Sequence, residues 1–158
     1  SYNLSKYNFI VIGAGGSSRS VVYSLNKENI TNIKIYNRTH SKNLIINNNN
    51  YEIYDLINLE NDISPSSFII NCTPPGIVEK KNILSEKVLN NLKIFYDLNY
   101  YKYEFHSILK NEDIQIITGI DMLIYQAIKS IEIWFNIDVI NKINIKDIKK
   151  YLTKINKC

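Results

Sequence analysis

Residues 9–39 constrain the fold more than any other part of this 158-residue chain. The apolar run FIVI at 9–12 predicts a short buried strand, and apolar residues then recur at helical spacing over 21–25. A second apolar run, at 33–36, predicts another strand. The glycine-rich segment GAGGSS, at 13–18, separates the first strand from the helix. This order of strand, tight turn, helix and strand is typical of a parallel α/β sheet.

The glycine-rich turn indicates a site for a dinucleotide phosphate. Glycine adopts positive φ without steric cost, and the missing side chains leave room for a pyrophosphate. An anion placed there meets the unpaired N–H groups and the positive end of the helix dipole. Ser18 stands where the usual glycine pattern has its third small residue, which lets the helix pack closely on the sheet. A glycine turn without a ligand is the alternative, but the strand–turn–helix context favours a binding site.

The residues after the second strand indicate which dinucleotide binds. An NAD site carries a carboxylate there for the ribose 2′-hydroxyl. The residues in this chain are instead polar or cationic: Asn37, Arg38, Thr39 and, slightly later, Lys42. A charge-assisted hydrogen bond to a 2′-phosphate contributes roughly 1.5–3 kcal/mol, which favours NADP about 10- to 100-fold. We therefore predict an NADP site; the alternative is that Arg38 is an ordinary surface arginine.

Strand and helix patterns alternate along the rest of the chain. Short apolar runs predict further strands at 51–54, 68–70, 94–96 and 114–117. Helical spacing predicts helices at 83–92 and 121–135, and 44–46 fit a brief helix. The predicted fold class is α/β, with a Rossmann-like doubly wound, mostly parallel sheet and helices on both faces. In such a sheet ligands bind beyond the carboxyl ends of the strands.

The predicted helix at 121–135 has two distinct faces. Asp121 is a good N-cap for it. One apolar stripe is expected to pack against the sheet: Ile124, Ala127, Ile128, Ile131 and Phe135. Met122 and Gln126 lie i, i+4 on another face, near the helix end that points at the ligand crevice. There Gln126 would hold a hydroxylated substrate and Met122 would pack on an apolar ring; the alternative is an exposed glutamine and a filler methionine.

The composition limits the classes of partner that we expect for this chain. With a net charge of +4, scattered lysines and no apolar run of transmembrane length, we expect neither a nucleic-acid nor a membrane partner. Cys72 and Cys158 are too few for a disulfide framework, which fits a reducing compartment and a cytoplasmic location. His40 and His106 have no Cys/His/Asp cluster around them, so we expect no metal site.

The chain divides into a linker stub at 1–8, a dinucleotide-binding domain at 9–136 and a helical tail at 137–158. The tail predicts an amphipathic helix, with lysines opposite one apolar stripe: Ile145, Ile148, Leu152 and Ile155. A basic helix of this kind can lie on a membrane, but packing on the protein is favoured. We expect the stripe to be partly exposed or covered by a second copy in a homodimer.

Five motifs together resemble the NADP-binding, C-terminal domain of shikimate dehydrogenases. They are GAGGSSRS at 13–20, NRTHSK at 37–42, NCTPPGI at 71–77, YDLNY at 96–100 and GIDMLIYQA at 119–127. The first two also occur in other NADP enzymes, whereas the last three together are far more specific. The resemblance implies NADP-linked interconversion of 3-dehydroshikimate and shikimate in the whole enzyme.

The resemblance also implies a role for each matching position. The diphosphate turn would be formed by Gly13, Ala14, Gly15, Gly16 and Ser17. The 2′-phosphate pocket would be lined by Asn37, Arg38, Thr39 and Lys42. The adenosine and nicotinamide portions would be bordered by Thr73, Pro74, Gly119 and Met122. Tyr100 and Gln126 look like the residues of this domain that touch shikimate.

One part of the family pattern is absent from this sequence. In shikimate dehydrogenases the lysine and aspartate at the reacting hydroxyl belong to an N-terminal substrate domain, and no NxTxPxK or NTDxxG pattern occurs here. We therefore place no catalytic residue in this chain, and expect it to bind NADP but to turn over little alone. The alternatives are a non-catalytic NADP-binding or interaction module, and a quinate/shikimate dehydrogenase.

Overall fold

The computed structural model describes residues 4–39, 43–77, 85–100, 109 and 114–155. The strands are β1 (Asn8–Ile12), β2 (Ile33–Asn37), β3 (Leu44–Ile46), β4 (Asn49–Tyr51), β5 (Ile53–Asp55), β6 (Ser67–Asn71), β7 (Ile94–Asp97) and β8 (Gln115–Thr118). The helices whose bounds the structure describes are α1 (Gly16–Lys27), α2 (Glu86–Asn91), α3 (Ile120–Phe135) and α4 (Ile145–Ile155), with 3-10 turns at Leu4–Lys6 and Leu56–Asn61.

Six strands form one parallel sheet in the order β5-β2-β1-β6-β7-β8. Strand β1 therefore lies at the centre, with the chain winding outward to β2 and β5 on one side and to β6, β7 and β8 on the other. The order reverses between β1 and β6, which is where dinucleotides bind in sheets of this topology. The prediction of an α/β, Rossmann-like doubly wound sheet is confirmed.

The two faces of the sheet carry separate apolar cores, because successive strand side chains point to opposite faces. On one face Ile10, Ile69 and Phe95 pack with residues of α2 and of the 3-10 turn Leu56–Asn61. On the other face Val11 and Ile70 pack with residues of α1 and of the β3–β4 pair. This second core holds α1 over the centre of the sheet.

The inner face of α1 follows the apolar spacing seen in the sequence. Its buried residues are Ser18, Val22 and Leu25. Ser18 is fully buried, so a small side chain occupies the place where the helix lies nearest the sheet, as the glycine pattern predicts.

The segment at 44–46 is a strand, so the prediction of a brief helix there is wrong. Strands β3 and β4 are antiparallel and pair Leu44 with Tyr51. Asn47 and Asn48 form the turn between them with φ of 48° and 65°. Asparagine tolerates this left-handed conformation, which two-residue hairpins require. The strand predicted at 51–54 is accordingly broken, with Tyr51 in the hairpin and Ile53–Asp55 in the main sheet.

Helix α3 packs differently from the prediction. Its buried residues Ile124 and Ile128 lie against the segment leading to α4 and against α4 itself, not against the sheet. Ala127 and Phe135 are exposed. Gly119 is the N-cap residue, so the assignment of Asp121 as the cap was wrong. Asp121 lies in the first turn and pairs with Lys149 at 2.6 Å, which ties α3 to α4.

Helix α4 has the amphipathic character predicted from the tail. Ile145, Ile148 and Leu152 are partly buried against α3, whereas Ile155 is half exposed. Of the helix predicted at 83–92, the structure describes Glu86–Asn91 as helical, and 83–84 lie outside the described residues. Among the residues that the structure describes, no helix is both long enough and apolar enough to cross a membrane.

A polar cluster holds the loop before β6 against β2. The Tyr36 hydroxyl donates to Asp62, and the Lys34 ammonium contacts the other carboxylate oxygen of Asp62 at 2.5 Å. These two donors hold the pKa of the Asp62 carboxyl below its ordinary value of 3.8. Burial, together with Asp62, raises the pKa of Tyr36, so the phenol remains a donor at neutral pH.

We predict that Asp62→Asn lowers the free energy of unfolding by about 1–2 kcal/mol at pH 7, because two hydrogen bonds to a charge are weakened. A folded-state pKa below the unfolded value stabilises the fold above the unfolded pKa, and this stabilisation is lost as the pH falls through the folded pKa. The difference between wild type and variant should therefore shrink below about pH 4 in urea unfolding. Asp138→Asn, at an exposed carboxylate, is the control; a constant difference at all pH values would contradict the prediction.

Candidate functional site

The turn after β1 lies at the carboxyl edge of the sheet, at the reversal of strand order. Gly13 has a φ of +107° and donates its N–H to the Tyr36 carbonyl at 2.7 Å. A Cβ on Gly13 would lie 3.3 Å from Thr73 Cγ2, in the loop after β6. The backbone conformation favours glycine, and a Cβ would in addition press on the Thr73 methyl group. Gly13 thus allows the turn to pack closely against the loop after β6.

The space above the next two glycines is open. A Cβ on Gly15 or Gly16 would meet no described atom within 4 Å, and both residues are exposed. Gly15 is the N-cap residue of α1, and no side chain caps the helix there. The N–H groups of the first turn therefore face a cleared space, with Ser17 exposed beside them. Such an arrangement favours an anion through its donors and the helix dipole.

The end of β2 presents the polar residues predicted for the 2′-phosphate. The Asn37 amide donates to the Thr39 carbonyl at 3.0 Å, which folds the chain back beyond the strand. Arg38 is exposed, and its guanidinium has no ion pair with any residue that the structure describes. It is therefore accessible to an anionic ligand. Lys42, predicted for the same pocket, lies outside the described residues.

A buried polar network joins the loops after β6 and β7. Asn71 and Asp97 are the last residues of these strands, pair in register and are almost inaccessible to solvent. The Asn71 amide donates to Asp97 Oδ1 at 3.0 Å. Asn71 Oδ1 in turn accepts from the Thr73 N–H at 3.0 Å and from the Thr73 hydroxyl at 2.6 Å. The network fixes the start of the loop that carries Thr73 and Pro74.

Asn99 closes the network from the β7 side. Its backbone N–H and its side-chain amide both donate to Asp97 Oδ1, at 3.1 and 2.9 Å. The same amide donates to the Thr73 carbonyl at 3.1 Å. Sequence patterns do not single out Asn71 or Asn99, because asparagine at a strand end equally predicts a turn. Only the register between β6 and β7 shows that these residues meet.

The beginning of α3 rests directly on the β7 loop. The Gly119 N–H donates to the Asn99 carbonyl at 3.1 Å. A Cβ on Gly119 would lie 2.0 Å from the Leu98 carbonyl oxygen, far inside van der Waals contact. Glycine is therefore needed at this position for the close approach of two backbones, and not for an unusual φ, which is −65°.

Met122 and Gln126 face a cleft between α1 and α3. The cleft has a volume of about 560 Å³, and its lining includes Ser17, which follows the glycine turn, as well as Met122 and Gln126. Its floor is apolar and includes Phe9, Phe68 and Ile70. Met122 is half-buried and Gln126 is exposed. The helix face predicted to meet a ligand is thus accessible and points away from the α3–α4 contact.

Tyr100 follows the β7 loop, and its side chain is partly exposed. It is the last residue that the structure describes before residue 109.

Cys72, next to the network, has its thiol pKa raised to about 12 by burial, with the Asp97 charge adding to the effect. The thiol is therefore protonated at neutral pH and is a poor nucleophile or metal ligand. No group of three or more His, Cys, Asp or Glu suited to a metal occurs among the described side chains.

Comparison with known proteins agrees with this geometry. A family model described as Shikimate / quinate 5-dehydrogenase matches residues 1–99, more than half of the chain. The chain belongs to the shikimate/quinate dehydrogenase family. A shikimate dehydrogenase (NADP(+)) from Methanococcus aeolicus is 39% identical to it over an alignment of 139 residues that covers 81% of this chain and 49% of that relative.

Solved structures of the shikimate dehydrogenase family share the fold. A chorismate mutase/shikimate 5-dehydrogenase fusion protein from Clostridium acetobutylicum superposes with a TM-score of 0.74 at 26% identity, covering 96% of this chain and 55% of that one. A shikimate dehydrogenase from Thermotoga maritima gives a TM-score of 0.73 at 25% identity, covering 94% and 57%. The chain thus spans about half the length of the relatives that it matches.

We predict that Gly119→Ala lowers the free energy of unfolding by about 1–3 kcal/mol, since the added methyl group displaces α3 or the β7 loop. Gly16→Ala is the matched control, because its methyl group enters open space and alanine favours a helix. Both are measured by thermal and urea unfolding without ligand. Equal stability of Gly119→Ala and wild type would show that the contact with the Leu98 carbonyl relaxes at no cost.

Proposed function

We propose that this chain is the NADP(H)-binding half of a shikimate dehydrogenase, which reduces 3-dehydroshikimate to shikimate when whole. The observation that carries the proposal is the open glycine turn between β1 and α1, with its uncapped helix N-terminus. Membership in the shikimate/quinate dehydrogenase family supports it, and so does the NADP(+) in the names of the most similar relatives. Saturating NADPH should release measurable heat in calorimetry; no binding would reject the proposal.

The described residues fit NADP at both ends of the molecule. The diphosphate is assigned to the turn Gly13, Ala14, Gly15, Gly16 and Ser17, whose open space and free donors suit an anion. The 2′-phosphate is assigned to Asn37, Arg38, Thr39 and Lys42; the accessible Arg38 guanidinium supports this choice. The adenosine and nicotinamide portions are assigned to Thr73, Pro74, Gly119 and Met122, with the nicotinamide on the side of the switch point opposite Arg38.

The chemistry divides between the cofactor and the protein. When bound, NADPH supplies the hydride for a carbonyl carbon. The loops after β6 and β7 would hold the nicotinamide. Tyr100, just after the β7 loop, and Gln126, on α3, would contact the hydroxylated substrate. A general acid that protonates the product oxygen typically accelerates such a reaction about 10²–10⁴-fold. We assign this acid to the half of the relatives' length that this chain does not match, so the chain alone binds NADPH without appreciable turnover.

Two alternatives differ from this proposal in measurable ways. A non-catalytic NADP-binding or interaction module would bind the coenzyme, but its gene would encode no lysine- and aspartate-bearing substrate domain. A quinate dehydrogenase is equally compatible with the family description, which names both substrates. The complete protein assayed with shikimate and with quinate separates these two activities.

We predict that Arg38→Ala weakens NADP binding about 10- to 100-fold and leaves NAD binding unchanged, because only NADP has a 2′-phosphate to lose its charged partner. Titration calorimetry with each coenzyme measures both affinities. Lys27→Ala makes the same change in charge at the C-terminal end of α1, about 17 Å along the helix axis from the glycine turn. It should affect neither affinity. An unaltered preference in Arg38→Ala would show that the 2′-phosphate pocket lies elsewhere.

We predict that Gln126→Ala in the complete enzyme raises KM for shikimate while the Kd for NADP stays the same, because its amide contacts the substrate and not the coenzyme. The loss of one hydrogen bond to a neutral hydroxyl corresponds to roughly 0.5–1.5 kcal/mol, or about 2- to 13-fold in KM. Ser130→Ala, one turn further along α3, is the control. A weaker Kd for NADP with unchanged KM would reject the assigned role.

A further inference from the structure

The network around Asp97 links two parts of the site that are far apart in sequence. On one side Asn71 connects Asp97 to Thr73 through bonds of 3.0 Å to Asp97 and 2.6 Å to the Thr73 hydroxyl. The Thr73 methyl group in turn lies 3.3 Å from the position that a Cβ on Gly13 would take. Any shift of Asp97 is therefore transmitted to the loop beside the diphosphate turn.

On the other side the network reaches the start of α3. Asn99 donates two N–H groups to Asp97, and its carbonyl accepts the Gly119 N–H. The adjacent Leu98 carbonyl leaves no space for a side chain on Gly119. The first turn of α3, which carries Met122, is thus fixed relative to the same carboxylate.

All of these contacts lie on one side of the switch point. Strands β6, β7 and β8 lie on that side, whereas β2 with Arg38 lies on the other. A dinucleotide bound across the reversal places one nucleotide on each side. With the 2′-phosphate assigned to Arg38, the nicotinamide half falls on the side of Thr73 and Gly119.

We propose that Asp97 is a positioning residue that holds the Thr73 loop and the start of α3 in one geometry, and thereby sets the affinity for the nicotinamide half of the coenzyme. This inference rests on the proposed NADP(H) function. Asp97 touches neither substrate nor coenzyme, since it is completely buried. It acts through Thr73, Asn99 and Gly119.

A carboxylate suits this role because it only accepts hydrogen bonds. One oxygen of Asp97 receives three N–H donors, from the Asn71 amide and from the backbone and side chain of Asn99. An asparagine in its place has nearly the same shape, but its neutral amide oxygen is a weaker acceptor for these three donors. The common anchor of the loops is then weakened while the sheet beneath them keeps its pairing.

The test compares two ligands on the 158-residue chain. NADPH occupies both halves of the site, whereas adenosine 2′,5′-bisphosphate occupies only the Arg38 side and the diphosphate turn. We expect Asp97→Asn to weaken NADPH binding about tenfold or more. Its affinity for adenosine 2′,5′-bisphosphate should stay within about twofold of wild type. Calorimetry measures both, with thermal unfolding alongside.

A matched control separates positioning from loss of stability. Asp62→Asn removes another hydrogen-bonded carboxylate, near the loop before β6 and outside the coenzyme site. It should lower the unfolding temperature but leave both affinities unchanged. If Asp97→Asn does not fold, Thr73→Val removes the hydroxyl bond to Asn71 at constant volume, and the same selective loss of NADPH affinity is expected.

Each outcome decides the matter. Selective loss of NADPH affinity in Asp97→Asn or Thr73→Val supports the positioning role. Equal weakening of both ligands, or no weakening of either, overturns it while the proposed function stands. A wild-type chain that binds neither ligand overturns the proposed function itself, and this inference with it.

Discussion

The chain must turn sharply between β1 and α1 while the neighbouring loop passes within van der Waals contact, and Gly13 is the residue that permits both. Its φ of +107° is unfavourable for any residue with a Cβ, and a Cβ there would press on the Thr73 methyl group at 3.3 Å. Because β1 and β6 are neighbours in the sheet, this contact lies where the strand order reverses. The space over Gly15 and Gly16, which follow in the chain, is open.

The charges and hydrogen-bond donors around the turn are compatible with a bound anion. The N-terminus of α1 has no side-chain cap, and Arg38 is accessible at the end of β2. Asp97 is buried at the same edge of the sheet, yet its Oδ1 is saturated by N–H donors. A carboxylate surrounded by donors in this way is stabilised locally, and its hydrogen bonds act as an anchor for the loops. The nearby Cys72 thiol stays neutral because burial raises its pKa.

Helix α3 connects the site to the rest of the chain in two ways. Its first turn is fixed to the β7 loop by Gly119, and its buried face packs on α4. The remaining face, with Met122 and Gln126, borders the apolar cleft beside α1. The chain covers about half of the relatives that it matches. This coverage fits the proposed division, in which a coenzyme-binding part needs a second part to position the substrate for turnover.

The sequence by itself determined the parallel sheet, the glycine turn and the polar residues at the end of β2, because each depends on local properties: short continuous apolar runs, freedom of φ and side-chain charge. It did not predict the β3–β4 hairpin at 44–46, where the left-handed turn at Asn47 and Asn48 overrides helical spacing. It also did not predict that α3 packs on α4, since an apolar stripe does not say which surface covers it. The network of Asn71, Asp97 and Asn99 was decided by tertiary structure alone, because its members meet only through the register of β6 against β7.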